Sequence, residues 1–283
     1  MNVKIWAHDS LDGASSALAI KQLLGKDVNV SISNANYSDF PGLYKGWYMN
    51  SFASYDKIFI LGFSLPTSLT HVVDHSNVII INNESTELVN KQAKVICNPS
   101  SSCISLIQES IPQIKSQTLY NIADDYTNQS TDNIDALKLN AVYFSLNQPR
   151  IDKFIARFMN GFDGFNIQEK NAIKLYFNRY KEIIDETDFF SGLIKNSKVV
   201  SCFADYATSD IARYAIKNYS ADIVMVINME ARLVFFFKNA DTCDIGMDLL
   251  ASKMCDGTGR DNEACGVITK KFLEFTKQLI KCK

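Results

Sequence analysis

The feature that most constrains this chain is an alternation, through about residue 110, of short β-branched runs with amphipathic stretches. That alternation is the pattern of βαβ units, whose strands form a parallel sheet covered by helices. Strands are expected over residues 3–7, 28–33, 57–63, 77–82 and 94–97. The clearest helix spans 14–24, where Ala14, Ala17, Leu18, Leu23 and Leu24 fit a 3.6-residue period. Leu65-Pro66-Thr67 opens another helix running to about Asp74, with Thr67 as its N-cap. This half reads as a doubly wound α/β domain. In such a sheet ligands bind beyond the carboxyl ends of the strands, so the residues directly after each strand are the candidates for chemistry.

From about residue 101 to 196 the strand signal disappears and long helical patterns take over, their polar faces rich in Lys, Glu and Asp. Strand-like runs return at 199–203, 223–227 and 232–238, the last two separated by the polar turn Asn228-Met229-Glu230-Ala231. Helices fit 209–217, 244–253 and 263–280. The expected organisation is an α/β domain over 1–150, a helical connector over 151–196 and a smaller α+β domain over 197–283. No internal repeat or low-complexity tract is visible, which excludes a solenoid.

The chain has 283 residues, and its 29 basic and 31 acidic residues leave a net charge of -2, so a broad electropositive surface for duplex DNA is excluded. No apolar run is long enough for a membrane helix, and MNVKIWAHDS lacks a signal-peptide pattern, so a cytoplasmic location is expected. The seven cysteines form no C-x-x-C pair and read as reduced, mostly buried thiols. With three histidines in all, a His-rich metal site is impossible, and any metal would lean on carboxylates.

The most informative segment is His8-Asp9-Ser10-Leu11-Asp12-Gly13, between the first strand and the first helix. Gly13 permits a tight turn, and the helix N-terminus offers N–H groups to an anion. Asp12 capping the helix, with His8 a satisfied polar residue, is the competing reading. Later in the chain, Ile122-Ala123-Asp124-Asp125 places an acidic pair in the helical region. Gly257-Thr258-Gly259-Arg260-Asp261-Asn262-Glu263-Ala264-Cys265-Gly266 forms a glycine-rich segment before the last expected helix. Glycine-rich backbone with an arginine suits a phosphate cradle, while a structural turn capping a helix explains the glycines equally.

These segments, in this order, resemble the DHH phosphoesterase superfamily, in particular its nanoRNA- and oligoribonuclease-like members with an associated C-terminal substrate-binding domain. The family's first motif, H-x-D-x-D-G, stands here as His8, Ser10, Asp12 and Gly13. Its C-terminal G-G-H-x-x-A-A-G has its counterpart in 257–266. For the D-H-H motif two placements compete. Asp74-His75 matches by letters but precedes the apolar strand, whereas Asn82-Asn83-Glu84 follows it, and the second register is preferred; His75 is then a helix-end residue placed against the dipole. The aspartate expected after the third strand is replaced by Gly62, and the fourth motif falls on Asp124, with Asp125 as the alternative.

The resemblance implies an N-terminal parallel-sheet domain, a helical connector and a C-terminal α+β domain. It also implies two divalent cations, Mn or Mg, that activate water for attack on a phosphodiester. The residual metal shell would be His8, Asp12 and Asp124, with Asp12 and Asp124 catalytic, and Ser10, Gly62 and Asn83 at the remaining ligand positions. Glycine supplies no ligand, and serine or asparagine only a neutral oxygen, so two dications would face too little negative charge. Asp9 or Glu84 is a substitute only if its side chain turns inward. Two readings follow: a non-catalytic protein that binds a nucleotide or short oligonucleotide phosphate or a partner protein, without bound metal, and an active metal-dependent phosphodiesterase acting on short oligonucleotides or cyclic nucleotides. An unrelated nucleotide-binding α/β protein is the third. In the first two, Asn83, Gly257, Gly259, Arg260, Asn262 and Gly266 contact the phosphate. A homodimer is a base-rate expectation only.

Two aromatic runs need a decision. Leu233-Val234-Phe235-Phe236-Phe237 reads as a strand buried on both faces rather than a base-stacking platform. The cluster Tyr44, Trp47, Tyr48, Phe52 and Tyr55 suits either packing or a partner surface.

Overall fold

The computed structural model describes residues 1–63, 65–83, 92–98, 101–110, 117–128, 133–194 and 196–274, and the statements below concern these. The chain divides into two compact units, Met1–Ile173 and Lys174–Lys283.

The first unit is built on β1 (Asn2–His8), α1 (Leu11–Leu24), β2 (Asn29–Ala35), α2 (Phe40–Ser51), β3 (Lys57–Leu61), α3 (Thr70–Val73), β4 (Val78–Asn82) and β5 (Lys94–Cys97). Its five strands are all parallel, in the order β2-β1-β3-β4-β5. The central strands are nearly uninterrupted apolar runs because both faces are covered: β3 reads KIFIL and β4 VIIIN, and Ile58, Ile60, Leu61, Val78 and Ile80 are fully buried. One face packs α1 with α4 (Cys103–Ser110), α5 (Gln117–Thr127), α6 (Ile134–Ser145) and α7 (Arg150–Phe158). Phe154 and Phe158 lie in that core, so α7 belongs to the first unit's packing. The other face holds Trp6, Phe40, Tyr44, Phe63 and Leu69.

The aromatic cluster thereby resolves as packing. Tyr44 is fully buried, Trp47 meets Trp6 edge-on with their ring centroids 5.8 Å apart, and Tyr48, Phe52 and Tyr55 pack against the same core. The expected helix from Thr67 is a 3₁₀ turn (Thr67–Leu69) followed by the four-residue α3, and Thr67 caps nothing; Pro66 precedes the turn and no side chain bonds to it.

The helix α8 (Ile167–Glu186) crosses the boundary between units. The second unit then runs β6 (Phe190–Ile194), β7 (Ser197–Phe203), α9 (Thr208–Tyr219), β8 (Ile223–Asn228), β9 (Leu233–Lys238), α10 (Met247–Cys255), β10 (Thr258–Gly259) and β11 (Glu263–Val267). The sheet order is β10-β11-β9-β8-β7-β6, with only β7 and β8 parallel. In β9, Val234 and Phe236 face the α10 core while Phe237 faces the α9 core, the two-sided burial expected for that run.

Two expectations fail. Residues 190–194 form an edge strand where only helix was anticipated, because FSGLI supplies a hairpin partner for β7. The helix expected over 263–280 begins instead with β11, and helix is described only over 270–274, the remainder lying outside the described residues. EACGV is a weak strand sequence, but pairing it along β9 satisfies that strand's ladder, a tertiary demand that outweighs local propensity. Among the described residues no helix is long and apolar enough to cross a membrane, and Cys103, Cys202, Cys243 and Cys255 are buried free thiols; Cys282 lies outside them.

Candidate functional site

In the first unit the chain goes outward from β1 to β2 and then returns past β1 to β3. The strand order therefore reverses between β1 and β3, and at such a switch point the loops leaving two neighbouring strands diverge and open a crevice. The residues at those strand ends are His8 closing β1, Gly62 after β3, and Asn82 closing β4 with Asn83 after it. These candidates lie at the carboxyl ends of neighbouring strands in the first sheet.

The turn from β1 into α1 is set by two residues. Ser10, in extended conformation, is the N-cap, its Oγ accepting from Gly13 N at 3.1 Å. Gly13 lies so close to β1 that a Cβ there would sit 2.1 Å from the His8 carbonyl oxygen. Ser10 is thus occupied as a cap, and Gly13 is required by the approach of helix to strand.

Asp12 is buried in the first turn of α1. Its two carboxylate oxygens accept from successive backbone amides at the start of α4, Cys103 N at 3.0 Å and Ile104 N at 2.9 Å. A carboxylate there satisfies two otherwise orphaned donors and meets the positive end of the helix dipole. Asp12 therefore acts as a cap, but for a helix 91 residues away rather than for its own. The Ser102 hydroxyl caps the same helix, accepting from Ser105 N at 3.0 Å, and donates to Asp124 in a short hydrogen bond. Asn128 Nδ2 also donates to Asp124, at 2.8 Å. Asp125 turns away and accepts from Asn133 Nδ2 at 2.6 Å, so of the acidic pair Asp124 is the one joined to this network.

Burial is the largest influence on Asp124 and holds its carboxyl above the usual range, opposed by the Ser102 and Asn128 hydrogen bonds. With its folded pKa raised, the native state keeps a proton that the unfolded chain has released. The contribution of Asp124 to stability is then greatest below the unfolded value, about 3.9, and declines as pH rises through the folded one. Asp124→Asn is expected to remove that slope. In urea denaturation, the stability of the wild type relative to the variant should be greater at pH 4 than at pH 7; a pH-independent difference would contradict the assignment.

Asp9, absent from the preferred ligands, is held by Tyr143, whose hydroxyl donates to it in a short hydrogen bond, and by Arg150 Nη1 at 3.0 Å. The Arg150 guanidinium also lies 5.4 Å from the Tyr143 ring centroid, joining α6 and α7 to the β1 loop. This Asp9–Tyr143–Arg150 group was missed in the sequence because Asp9 lies 134 and 141 residues from its two partners. His8 packs in a tilted arrangement against Tyr37 at a centroid distance of 4.2 Å and meets Phe63 edge-on at 5.8 Å. Gly62 has φ +73°, a left-handed conformation that a side chain enters only with strain, and its N–H donates to Ile81 O at 2.9 Å. Asn82 and Asn83 are buried at the end of β4, as the preferred register requires. Asp74 and His75 precede β4; Asp74 accepts from the Gln92 and Ala93 amides, and His75 Nε2 lies 3.0 Å from the Tyr48 hydroxyl. Glu84 lies outside the described residues.

Among the described residues this donor set does not fit two divalent cations. The Asp12 oxygens are engaged by backbone donors, Asp124 by two side-chain donors and Asp9 by a tyrosine and an arginine, while Gly62 has no side chain to offer. Cys103, beside Asp12, donates its Sγ–H to Ile81 O at 3.2 Å, and burial pushes its thiol well up, away from the thiolate a metal would need. Among the described residues no group of three or more His, Cys, Asp or Glu side chains is arranged to hold a metal ion.

In the second unit the glycine-rich segment is the β10–β11 hairpin. A Cβ on Gly257 would lie 2.4 Å from Cys265 O, on Gly259 2.4 Å from Ala264 Cα, and on Gly266 2.1 Å from Cys255 Sγ. Close approach accounts for all three glycines, of backbone at Gly257 and Gly259 and of the Cys255 side chain at Gly266. Arg260, at the turn, donates its amide to Glu263 O at 2.6 Å and pairs its guanidinium with Glu263 at 3.5 Å. Asn262 O accepts from Lys238 N at 3.1 Å, and Lys238 Nζ pairs with Asp261 at 2.6 Å. The segment runs into β11 rather than into a helix, so the cradle imagined from sequence has its arginine and glycines but not its helix dipole.

No protein-family model matches the chain, and no curated protein does. Among solved structures, it is similar to an exopolyphosphatase-related protein from Bacteroides fragilis, with a TM-score of 0.52 and 14% identity over 99% of this chain and 92% of that one. It is also similar to RecJ in complex with Mn2+ from Thermus thermophilus, with a TM-score of 0.52 and 9% identity over 99% of this chain and 51% of that one. At these identities the likeness is one of fold.

Proposed function

We propose, from a fold of the DHH-superfamily type, that this chain binds a nucleotide or short oligonucleotide through its phosphate and does not hydrolyse it. The observation that carries the reading is Asp12. In a fold shared with a Thermus protein solved with Mn2+, the acid best placed for a cation spends both oxygens holding the start of α4. Hydrolysis by this route needs a metal to lower the pKa of a bound water, and among the described residues Asp9, Asp12 and Asp124 accept from other donors.

Binding is supported by features of each unit taken separately. The first has the switch point between β1 and β3 and the Asn83 amide following β4. The second has, in Arg260, a guanidinium suited to bidentate contact with a phosphate. The phosphate must compete with Glu263 for that guanidinium, so moderate affinity is expected.

The test is calorimetric titration of the full chain with a 5′-phosphorylated dinucleotide, with chromatography of the mixture after incubation with Mn2+. Saturable binding with the dinucleotide recovered intact, and weaker binding in Arg260→Ala, is the expected result. Product formation that disappears in Asp124→Asn would instead make the chain an enzyme, and no binding by the wild type would remove the ligand.

A further inference from the structure

We infer that the exposed ring of Tyr37 is a stacking platform for a planar heteroaromatic ring, a nucleobase, beside the β1–β3 switch point. The inference deepens the nucleotide reading above and rests on it for the choice of ligand.

Four rings form a ladder from the core to the surface. Phe40 and Phe63, both buried, stack face to face at 3.9 Å with planes 15° apart. Phe63 meets His8 edge-on at 5.8 Å, and His8 lies under Tyr37 at 4.2 Å with planes 31° apart. Trp6 supports the base of the ladder, 5.7 Å from Phe40. The ladder ends in an aromatic side chain that keeps 44% of its surface accessible.

Two features distinguish this ring from a solitary surface tyrosine. Its loop is held, because the Asn36 carbonyl accepts from both Asp39 N at 3.2 Å and Phe40 N at 3.0 Å, tying the turn to the start of α2. A ring fixed from below loses little freedom when a ligand stacks on it. Its position is also special: Tyr37 follows β2 and His8 ends β1, so the platform stands on the carboxyl edge of the sheet, where the fold binds ligands. A base stacks on any aromatic face without selecting a sequence, which suits short oligonucleotides of mixed composition. His8, expected from sequence to be a metal ligand, would then serve as the support of this platform.

The experiment titrates wild type, Tyr37→Phe and Tyr37→Ala with three probes: adenosine 5′-monophosphate, adenosine and ribose 5-phosphate. Circular dichroism confirms the fold of each variant, which an exposed side chain should not disturb. Tyr37→Ala is expected to weaken the monophosphate about 10-fold, within the range for one stacked base, and to leave ribose 5-phosphate unchanged, while Tyr37→Phe keeps wild-type affinity. Equal binding of the monophosphate by wild type and Tyr37→Ala overturns the platform. Wild-type binding of ribose 5-phosphate with no gain from the base also overturns it, yet leaves the phosphate reading standing. Adenosine binding that depends on Tyr37, without ribose 5-phosphate binding, supports the platform and removes the phosphate reading. Binding of none of the three overturns both.

Discussion

Gly13→Ala is expected to leave the first unit without a stable fold. The new Cβ would lie 2.1 Å from the His8 carbonyl oxygen, 3.0 Å from its carbon and 3.1 Å from its nitrogen. All three are backbone atoms of β1, a strand paired on both sides, so nothing flexible can give way. The helix must move instead, and α1 carries Ala14, Ala17 and Leu18 of the main core as well as the Ser10 cap and the Asp12 contact with α4. A loss of about 4 kcal/mol or more is expected, a large share of the ~5–15 kcal/mol by which a domain is stable. The control is Gly46→Ala in the middle of α2, where a Cβ meets nothing within 4 Å. Alanine there should stabilise by about 0.5–1 kcal/mol through helix propensity and reduced chain entropy. Urea denaturation of both variants checks the pair. A Gly13→Ala protein as stable as wild type would mean that α1 does not approach β1 as described.

Asp12→Ala is expected to cost about 2–5 kcal/mol in the metal-free protein. Removing the carboxylate leaves the amides of Cys103 and Ile104 buried without acceptors, and each unsatisfied donor costs about 1–3 kcal/mol. For a unit of this size that is a fall in Tm on the order of 5–20 °C. Asp12→Asn, which offers one oxygen and sets its amide group against the other N–H, should lose roughly half as much. The sign separates the two uses of an acidic residue at this position. A carboxylate kept for a cation is tolerated at a cost when the cation is absent, so its removal leaves the apo protein unchanged or more stable. Thermal melts in the presence of a chelator distinguish them, and an Asp12→Ala protein that melts at or above the wild type would show that the helix contact contributes nothing.

How much of this was legible in the sequence follows from the range of each interaction. The parallel sheet was legible because strands buried on both faces carry unbroken apolar runs, and those runs also placed the loop after β4 at Asn82-Asn83 rather than at Asp74-His75. The candidate edge followed from taking the residues directly after each strand. The roles of the acids did not. A carboxylate just inside a helix looks the same whether it awaits a cation or a distant helix, and the amides that occupy Asp12 lie 91 and 92 residues further on. The same applies to Asp9, whose partners Tyr143 and Arg150 carried no motif.

The glycine-rich segment shows a second limit. Its glycines marked close approach correctly, but what approaches is Cys255 and the opposite strand of a hairpin, and no local pattern identifies them. The helix expected from Glu263 failed for a related reason. EACGV has little strand propensity, and it is extended because the apolar β9 needs a neighbour on that side. His8 entered as a ligand through the resemblance of its motif, and the neighbours of its ring, Tyr37 and Phe63, could not be read there because their proximity depends on three strands being in register.

The central proposal is that the acids at the carboxyl edge of the first sheet hold the fold together rather than a metal ion. Its most direct test is titration of the wild-type full chain with Mn2+ by calorimetry, with Tm followed in the same buffers. A protein that binds a cation when folded gains about 2.7 kcal/mol at a hundredfold excess over Kd, so a true site raises Tm by several degrees. The account predicts no saturable heat and an unchanged Tm at millimolar Mn2+. Saturable uptake with a rise in Tm, both lost in Asp124→Asn, would contradict it.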